Sequence, residues 1–177
     1  QAIRDKAAQH LYDIFAHSAR RLHRLHADPN PGNYLFHPDG SVTLIDFGCV
    51  KHLSEHFTQV LPRLLWGFHQ NDAEAVFAAY HALGMKHANA GSKMYEEVLR
   101  PFGEWASRPL HEECFDFGKH PNYTSEAREI IQRLAQLSGL ESLADEFIFF
   151  DRTAYGLCKM FERMGAKVRI RQHWVAE

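Results

Sequence analysis

His26-Ala27-Asp28-Pro29-Asn30-Pro31-Gly32-Asn33, followed by Leu44-Ile45-Asp46-Phe47-Gly48, is the stretch that decides both the fold and the chemistry of this chain. Asp28 is followed at the fifth position by an amide, Asn33, and thirteen residues later a second carboxylate, Asp46, ends a short apolar run. Pro29, Pro31 and Gly32 forbid helix here, so the segment is a loop of fixed shape. Val42–Ile45 reads as a strand that delivers Asp46. Two carboxylates and an amide in that order are what kinase-type phosphoryl transfer requires. One carboxylate serves the attacking hydroxyl, while the amide and the other carboxylate hold Mg²⁺ on the phosphates.

Outward from the loop, the pattern is mostly helical. Ile3, Leu11, Ile14, Phe15 and Leu22 recur at roughly helical spacing, which predicts one long helix or two over residues 2–24. Tyr34–Phe36 and Val42–Ile45 flank His37-Pro38-Asp39-Gly40, a turn sequence, and predict a β-hairpin. Ser54 is placed to cap a helix running to about Phe68. Asn71 with Glu74 makes a capping-box pattern for a helix ending near Gly84. A further helix is expected from Ser92, broken at Pro101 or Pro109, then a long polar loop from Arg108 to Thr124. Ser125–Leu137 and Ala144–Met164 complete the helices, with Gly165 as a stop. The expected fold is therefore mainly α with a small β-hairpin, the C-lobe of a protein-kinase-like fold, and a poor match to a Rossmann fold.

Composition narrows the class. The 177 residues suit one domain or the larger part of a bilobal one, and 45% hydrophobic residues suffice for a core. A net charge of −2 gives no electrostatic case for nucleic-acid binding. Cys49, Cys114 and Cys158 form no CxxC pair, which argues against a disulfide framework or a zinc ribbon and favours a reducing compartment. No apolar run approaches the length of a membrane span. The chain opens on Gln1 within a helical pattern, so we expect a piece of a longer protein.

Each candidate residue has a chemical role and a plainer alternative. Asp28 would accept or orient the proton of the attacking hydroxyl, and Asn33 would reach a metal ion. Gly32 would let the backbone approach phosphate or metal. His26 and Asn30 belong to the loop's scaffold, His26 fixing it through hydrogen bonds. Asp46 would ligate Mg²⁺ or Mn²⁺ and, with Phe47 and Gly48, contact the nucleotide. The alternative is a polar turn shaped by its prolines. A second Asp-Phe-Gly, Asp116-Phe117-Gly118, follows no apolar strand and is expected to be turn chemistry alone. Thirteen histidines include no HExxH-type pair, so solvated or hydrogen-bonded His is expected. Two basic stripes, Arg20/Arg21/Arg24 and Lys167/Arg169/Arg171, could meet acidic lipid or phosphate but more often mark solvated faces.

These residues resemble a known family. His26–Asn33 and Leu44–Gly48 look like the catalytic and metal-binding motifs of the ABC1/UbiB (AarF, ADCK) atypical kinases, whose loop reads HADPHPGN. Phe149–Arg152 through Met164–Ala166 are similar to that family's C-terminal helix. The resemblance implies that Asp28 is the catalytic residue and that Asn33 and Asp46 are the magnesium ligands. It also implies an ATP cofactor and slow ATPase or kinase-like activity linked to ubiquinone or other prenyl-lipid metabolism. A lipid or prenylated partner, membrane-surface association and a cytoplasmic or organellar location follow from it too. On this view residues 1–177 are the C-terminal lobe alone, the missing N-lobe is a partner, and the lobe by itself is inactive. Asn30 departs from the family, standing where it usually has His and where protein kinases place a phosphate-contacting Lys. Two rivals remain at this stage. One is a small-molecule phosphotransferase of the aminoglycoside or choline kinase type, which usually lacks Phe-Gly after the metal-binding Asp. The other is a pseudokinase that only binds a partner.

Overall fold

The computed structural model describes residues 1–84, 93, 95–134 and 145–175. Helix α1 (Ala2–Arg21) buries Ala7, Ala8, Leu11, Tyr12, Phe15, Ala16 and Ala19. Their spacing of three and four residues makes one face of a helix. This stripe is built largely from alanines; of the bulky residues expected on it Leu11 and Phe15 are buried, Ile14 is half-buried, and Ile3 and Leu22 lie exposed. The helix also stops earlier than expected. His23 takes a left-handed φ of 51°, and the chain turns into a short strand, β1 (Arg24–His26).

The next four segments set the geometry of the motif. After a single 3-10 turn at Pro31–Asn33, β2 (Tyr34–Phe36) and β3 (Val42–Leu44) pair antiparallel as the expected hairpin, with Tyr34 opposite Leu44. Gly40 adopts φ +80° in the turn, a conformation that costs glycine little. The strand β4 (Val50–His52) then returns to pair with β1, His26 opposite Val50 and Arg24 opposite His52. The pairing is nested: β2–β3 lies within the span of chain that β1–β4 closes. Sequence pattern did not reveal the outer pair, because three-residue strands are too short for a periodicity.

Helices cover this unit. Helix α2 (Glu55–Gln70) is capped by Ser54, whose hydroxyl accepts from Phe57 N–H at 3.1 Å. Asn71 does not cap the following helix; it closes α2 in the left-handed conformation, φ 53°, and Asp72 caps α3 (Ala73–Ala82), accepting from Ala75 N–H at 3.0 Å. The expected start at Ser92 lies outside the described residues. A single π-helical turn, Tyr95–Leu99, runs into α4 (Arg100–Ser107). Pro101 sits in the first turn of α4, where its missing N–H costs nothing, so it does not break the helix.

The stretch from Arg108 to Thr124 is packed, contrary to the expected polar loop. Leu110, Phe115, Phe117 and Tyr123 in it are buried. Phe115–Asp116 forms β5, paired with β6 (Lys167–Val168) beyond the last helix. Two helices complete the fold, α5 (Tyr123–Leu134) and α6 (Asp145–Met164); the expected bounds at Leu137 and Ala144 lie outside the described residues. Trp105 Nε1–H donates to the Tyr123 carbonyl at 2.8 Å and Tyr123 O–H donates to the Trp105 carbonyl at 3.1 Å, joining α4 to α5. From α6, Glu146 accepts from the backbone N–H and hydroxyl of Ser54, and Glu162 accepts from Thr124 N–H at 3.1 Å. Gly165, with φ +56°, ends α6 as expected.

The two Asp-Phe-Gly sequences share a local turn and differ in burial. Asp46 Oδ1 accepts from Gly48 N–H at 2.7 Å, and Asp116 Oδ1 from Gly118 N–H at 3.0 Å. Phe47 is 67% exposed, whereas Phe117 is fully buried against Phe115, Tyr123 and Phe161. Asp116 also lies 3.6 Å from Lys167 Nζ across the β5–β6 ladder, so it is structural in a more specific way than a turn. Phe117→Ala should therefore cost about 3–5 kcal/mol of folding stability. Phe47→Ala should stay within roughly 0.5 kcal/mol. Chemical denaturation of the two variants checks the contrast.

Candidate active site

The nested strands bring two loops face to face. Each loop, residues 27–33 and residues 45–49, joins a strand of the outer ladder to one of the inner ladder. Three further hydrogen bonds cross between them. Ala27 N–H donates to the Cys49 carbonyl at 2.8 Å, and Ile45 N–H to the Asn33 carbonyl at 3.0 Å. His26 Nε2–H donates to the Asp46 carbonyl at 2.8 Å. Bonding to that carbonyl makes Nε2 the protonated nitrogen. Nδ1 is then an acceptor, buried without a partner, and the ring stands edge-on to Tyr34. His26 is thus a tie between the two loops.

Asp28 and Asn33 are locked to each other. Asn33 is buried, and its Nδ2 donates to Asp28 Oδ2 at 2.9 Å and to the Asp28 carbonyl at 3.0 Å. The 3-10 turn that positions Asn33 is capped by Asn30, whose Oδ1 accepts from Gly32 N–H at 3.0 Å. The Asn30 carbonyl dipole therefore points back into its own loop and stabilises the turn. A Cβ on Gly32 would lie 3.5 Å from that Asn30 oxygen, an ordinary contact, so the chain itself does not require glycine there. The open side of the loop is where any close approach by a ligand would occur.

These bonds leave a specific set of atoms unused. Among the described residues, Asp28 Oδ1, Asn33 Oδ1 and Asp46 Oδ2 take no hydrogen bond. All three are oxygens, the donor type that suits Mg²⁺ or Mn²⁺ and not zinc. No group of three or more His, Cys, Asp or Glu side chains among the described residues is arranged for a metal ion. His10 reaches the Gly40 carbonyl and His56 the Ala82 carbonyl, so these two serve as hydrogen-bonding groups.

Two neighbours were invisible to motif reasoning. Tyr34 follows Asn33 directly and is buried; burial, and next the Asp28 carboxylate, pushes its phenol pKa up. Its adjacency to the loop was the available signal. Gly156 of α6 meets Pro29 so closely that a Cβ there would overlap the proline ring. No local pattern links residues so far apart. Helix α6 thus forms the floor under the Asp28 loop. Gly156→Ala should displace that loop and cost about 1–3 kcal/mol. The check is a ¹⁵N–¹H spectrum, in which the largest amide shifts should fall on residues 28–33 and not on Asp116–Lys119.

Comparison with known proteins agrees with the geometry. The family model of the ABC1 atypical kinase-like domain matches residues 1–80. No curated protein matches the chain. A solved structure titled as the complex of Rv3197 with erythromycin, from Mycobacterium tuberculosis, superposes with a TM-score of 0.72 at 19% identity. The superposition covers 96% of this chain but 42% of that one, so this chain spans less than half the length of that protein. At this identity the likeness speaks for the fold: mainly α with small antiparallel ladders, the C-lobe of a protein-kinase-like fold. Residues 1–80, which contain both site loops and all four strands of the nested unit, match the ABC1 atypical kinase-like family that the two motifs resemble.

Proposed function

We propose that this chain is the C-terminal lobe of an ATP-dependent phosphotransferase or ATPase of the ABC1/UbiB type. The observation that carries the proposal is the trio of unused oxygens on Asp28, Asn33 and Asp46, held by ties that occupy the other atoms of the same side chains. Asn33 and Asp46 would hold Mg²⁺ or Mn²⁺, which when bound neutralises phosphate charge and aligns the phosphates for transfer. Asp28 would orient the attacking hydroxyl or water and take its proton. The bond from Asn33 Nδ2 fixes the Asp28 carboxylate against rotation, so its free oxygen is aimed before substrate arrives.

The exposed apolar residues fit the same proposal. Of the nine large apolar residues exposed among the described residues, five (Leu35, Phe36, Ile45, Phe47 and Val50) fall within residues 35–50, around the site loops, while Ile3, Leu22, Trp66 and Ile148 lie elsewhere. A second lobe with a nucleotide between the lobes would cover such a surface, and the matched solved chain is more than twice as long as the part aligned here. A role in ubiquinone or other prenyl-lipid metabolism follows from the family resemblance alone. Membrane-surface association likewise follows from the resemblance alone. No helix among the described residues is long and apolar enough to cross a membrane. In the first basic stripe Arg20 is tied to the His173 carbonyl and lies over the Trp174 ring, so it is not a free lipid-facing charge.

In the full-length protein, Asp46→Asn should weaken metal-dependent ATP binding at least about tenfold, on the order of 1.4 kcal/mol. Asp116→Asn should leave that affinity unchanged. Asp28→Asn should lower turnover while nucleotide affinity stays within about twofold, since its role is toward the attacking group. Calorimetry with ATP and Mg²⁺, together with a phosphate-release assay, reads all three. Equal losses of affinity from Asp46→Asn and Asp116→Asn would place the site elsewhere.

A further inference from the structure

Away from the site loops, a cavity of about 80 Å³ opens among α1, α4, α5 and α6, and its wall is almost wholly aromatic and aliphatic. Trp105, Phe150, Tyr155 and Trp174 line it, and Asp151 of α6 supplies the only carboxylate among the described residues of the wall. The other polar atoms there are mutually satisfied. Trp105 Nε1–H and Tyr123 O–H bond reciprocally to each other's backbone carbonyls, Tyr155 O–H donates to the Thr124 carbonyl at 3.1 Å, and Trp174 Nε1–H donates to the Tyr12 hydroxyl at 2.6 Å. Asp151 takes no hydrogen bond or ion pair among the described residues.

Its surroundings sharpen the contrast. The groups whose ionisation the Asp151 charge opposes are Tyr80, Tyr123 and Cys158, all neutral at physiological pH. Arg20 lies over the Trp174 ring and Arg108 over the Tyr123 ring, the latter paired with Glu126 at 2.7 Å, and neither pairs with Asp151. Burial alone raises the Asp151 pKa to about 6, so near neutral pH the group is mostly a carboxylate without a counter-ion. Asp151 is half-buried, and a partly desolvated carboxylate without a counter-ion gains from pairing with a cation.

We infer that this cavity is a binding site for a small organic ammonium, its charge on Asp151 and its alkyl body against the rings of Trp105, Phe150 and Trp174. A carboxylate set among aromatic faces is the combination that recognises alkylammonium groups. Size limits the ligand. Apolar cavities of roughly 150 Å³ accept benzene, so this smaller one suits a short branched aliphatic amine. The site is independent of the Asp28–Asn33–Asp46 trio and does not rest on phosphoryl transfer.

Isobutylammonium is the probe, with isobutanol as its uncharged counterpart of the same shape. In the full-length protein, ¹H–¹⁵N spectra report the assigned indole N–H signals. Trp105 and Trp174 line the cavity, while Trp66 is exposed elsewhere and serves as a control. The amine should shift the first two saturably and leave Trp66 still. Isobutanol should bind at least about tenfold more weakly, and Asp151→Asn should weaken the amine by a similar factor. That variant removes an unpaired, half-buried charge, so it should fold at least as well as the wild type. Should it fail to fold, the amine–alcohol difference in the wild type still decides. Equal response to amine and alcohol, or no saturable shift of Trp105 and Trp174, would overturn the inference, whatever the ATP measurements give.

Discussion

Everything at the candidate active site depends on one constraint, the closure of β1 onto β4 around the β2–β3 hairpin. A hairpin alone would present Asp46 at a strand end and leave Asp28 on an unconnected loop before it. Closing the outer ladder forces the chain to leave and re-enter on the same side, so residues 27–33 and 45–49 must face each other. The ladders are three residues long and could not hold that register by backbone bonding alone. The His26–Asp46 and Ala27–Cys49 bonds extend the pairing through the site itself. Structure and site geometry are therefore the same set of bonds.

The helices make that small unit stable. Leu25, in the middle of β1, and Leu53, just after β4, are buried in the helical core with Phe57 and Phe15. Helix α6 acts twice, its first turn bonding Ser54 at the start of α2 and its middle supporting Pro29 through Gly156. The support is steric and admits no side chain at position 156. Position 151, five residues before it on the same helix, places a carboxylate on the wall of a largely aromatic cavity.

The site was legible because its chemistry is local. Asp28, Pro29, Pro31, Gly32 and Asn33 lie within six residues, and the turn chemistry at residues 37–40 announces the hairpin that leads to Asp46. Bonds between distant residues were not legible. Two-residue strands such as β5 and β6 have no period to detect, and their pairing joins Phe115 to Val168 across the sequence. The second Asp-Phe-Gly shows the same limit. It forms the same Asp-to-glycine turn as the first, but its phenylalanine is buried by partners that a local pattern cannot see. The alanine-rich face of α1 was missed for another reason: small residues bury by close approach of the helix, a signal that bulky-residue spacing does not register.

On the function proposed above, the two facing loops form a single oxygen site for a divalent metal carrying a nucleotide. Paramagnetic broadening tests it directly, with Mn²⁺ and a non-hydrolysable ATP analogue titrated into the isotope-labelled full-length protein. Broadening falls off steeply with distance from the ion, so the lost signals locate it. Nucleotide-dependent loss of amide signals is expected at Asp28, Asn33 and Asp46–Gly48, with Asp116–Gly118 and Gly165 retained. Loss centred on Asp116–Gly118, or loss at residues 28–48 no greater than over the rest of the surface, would contradict it.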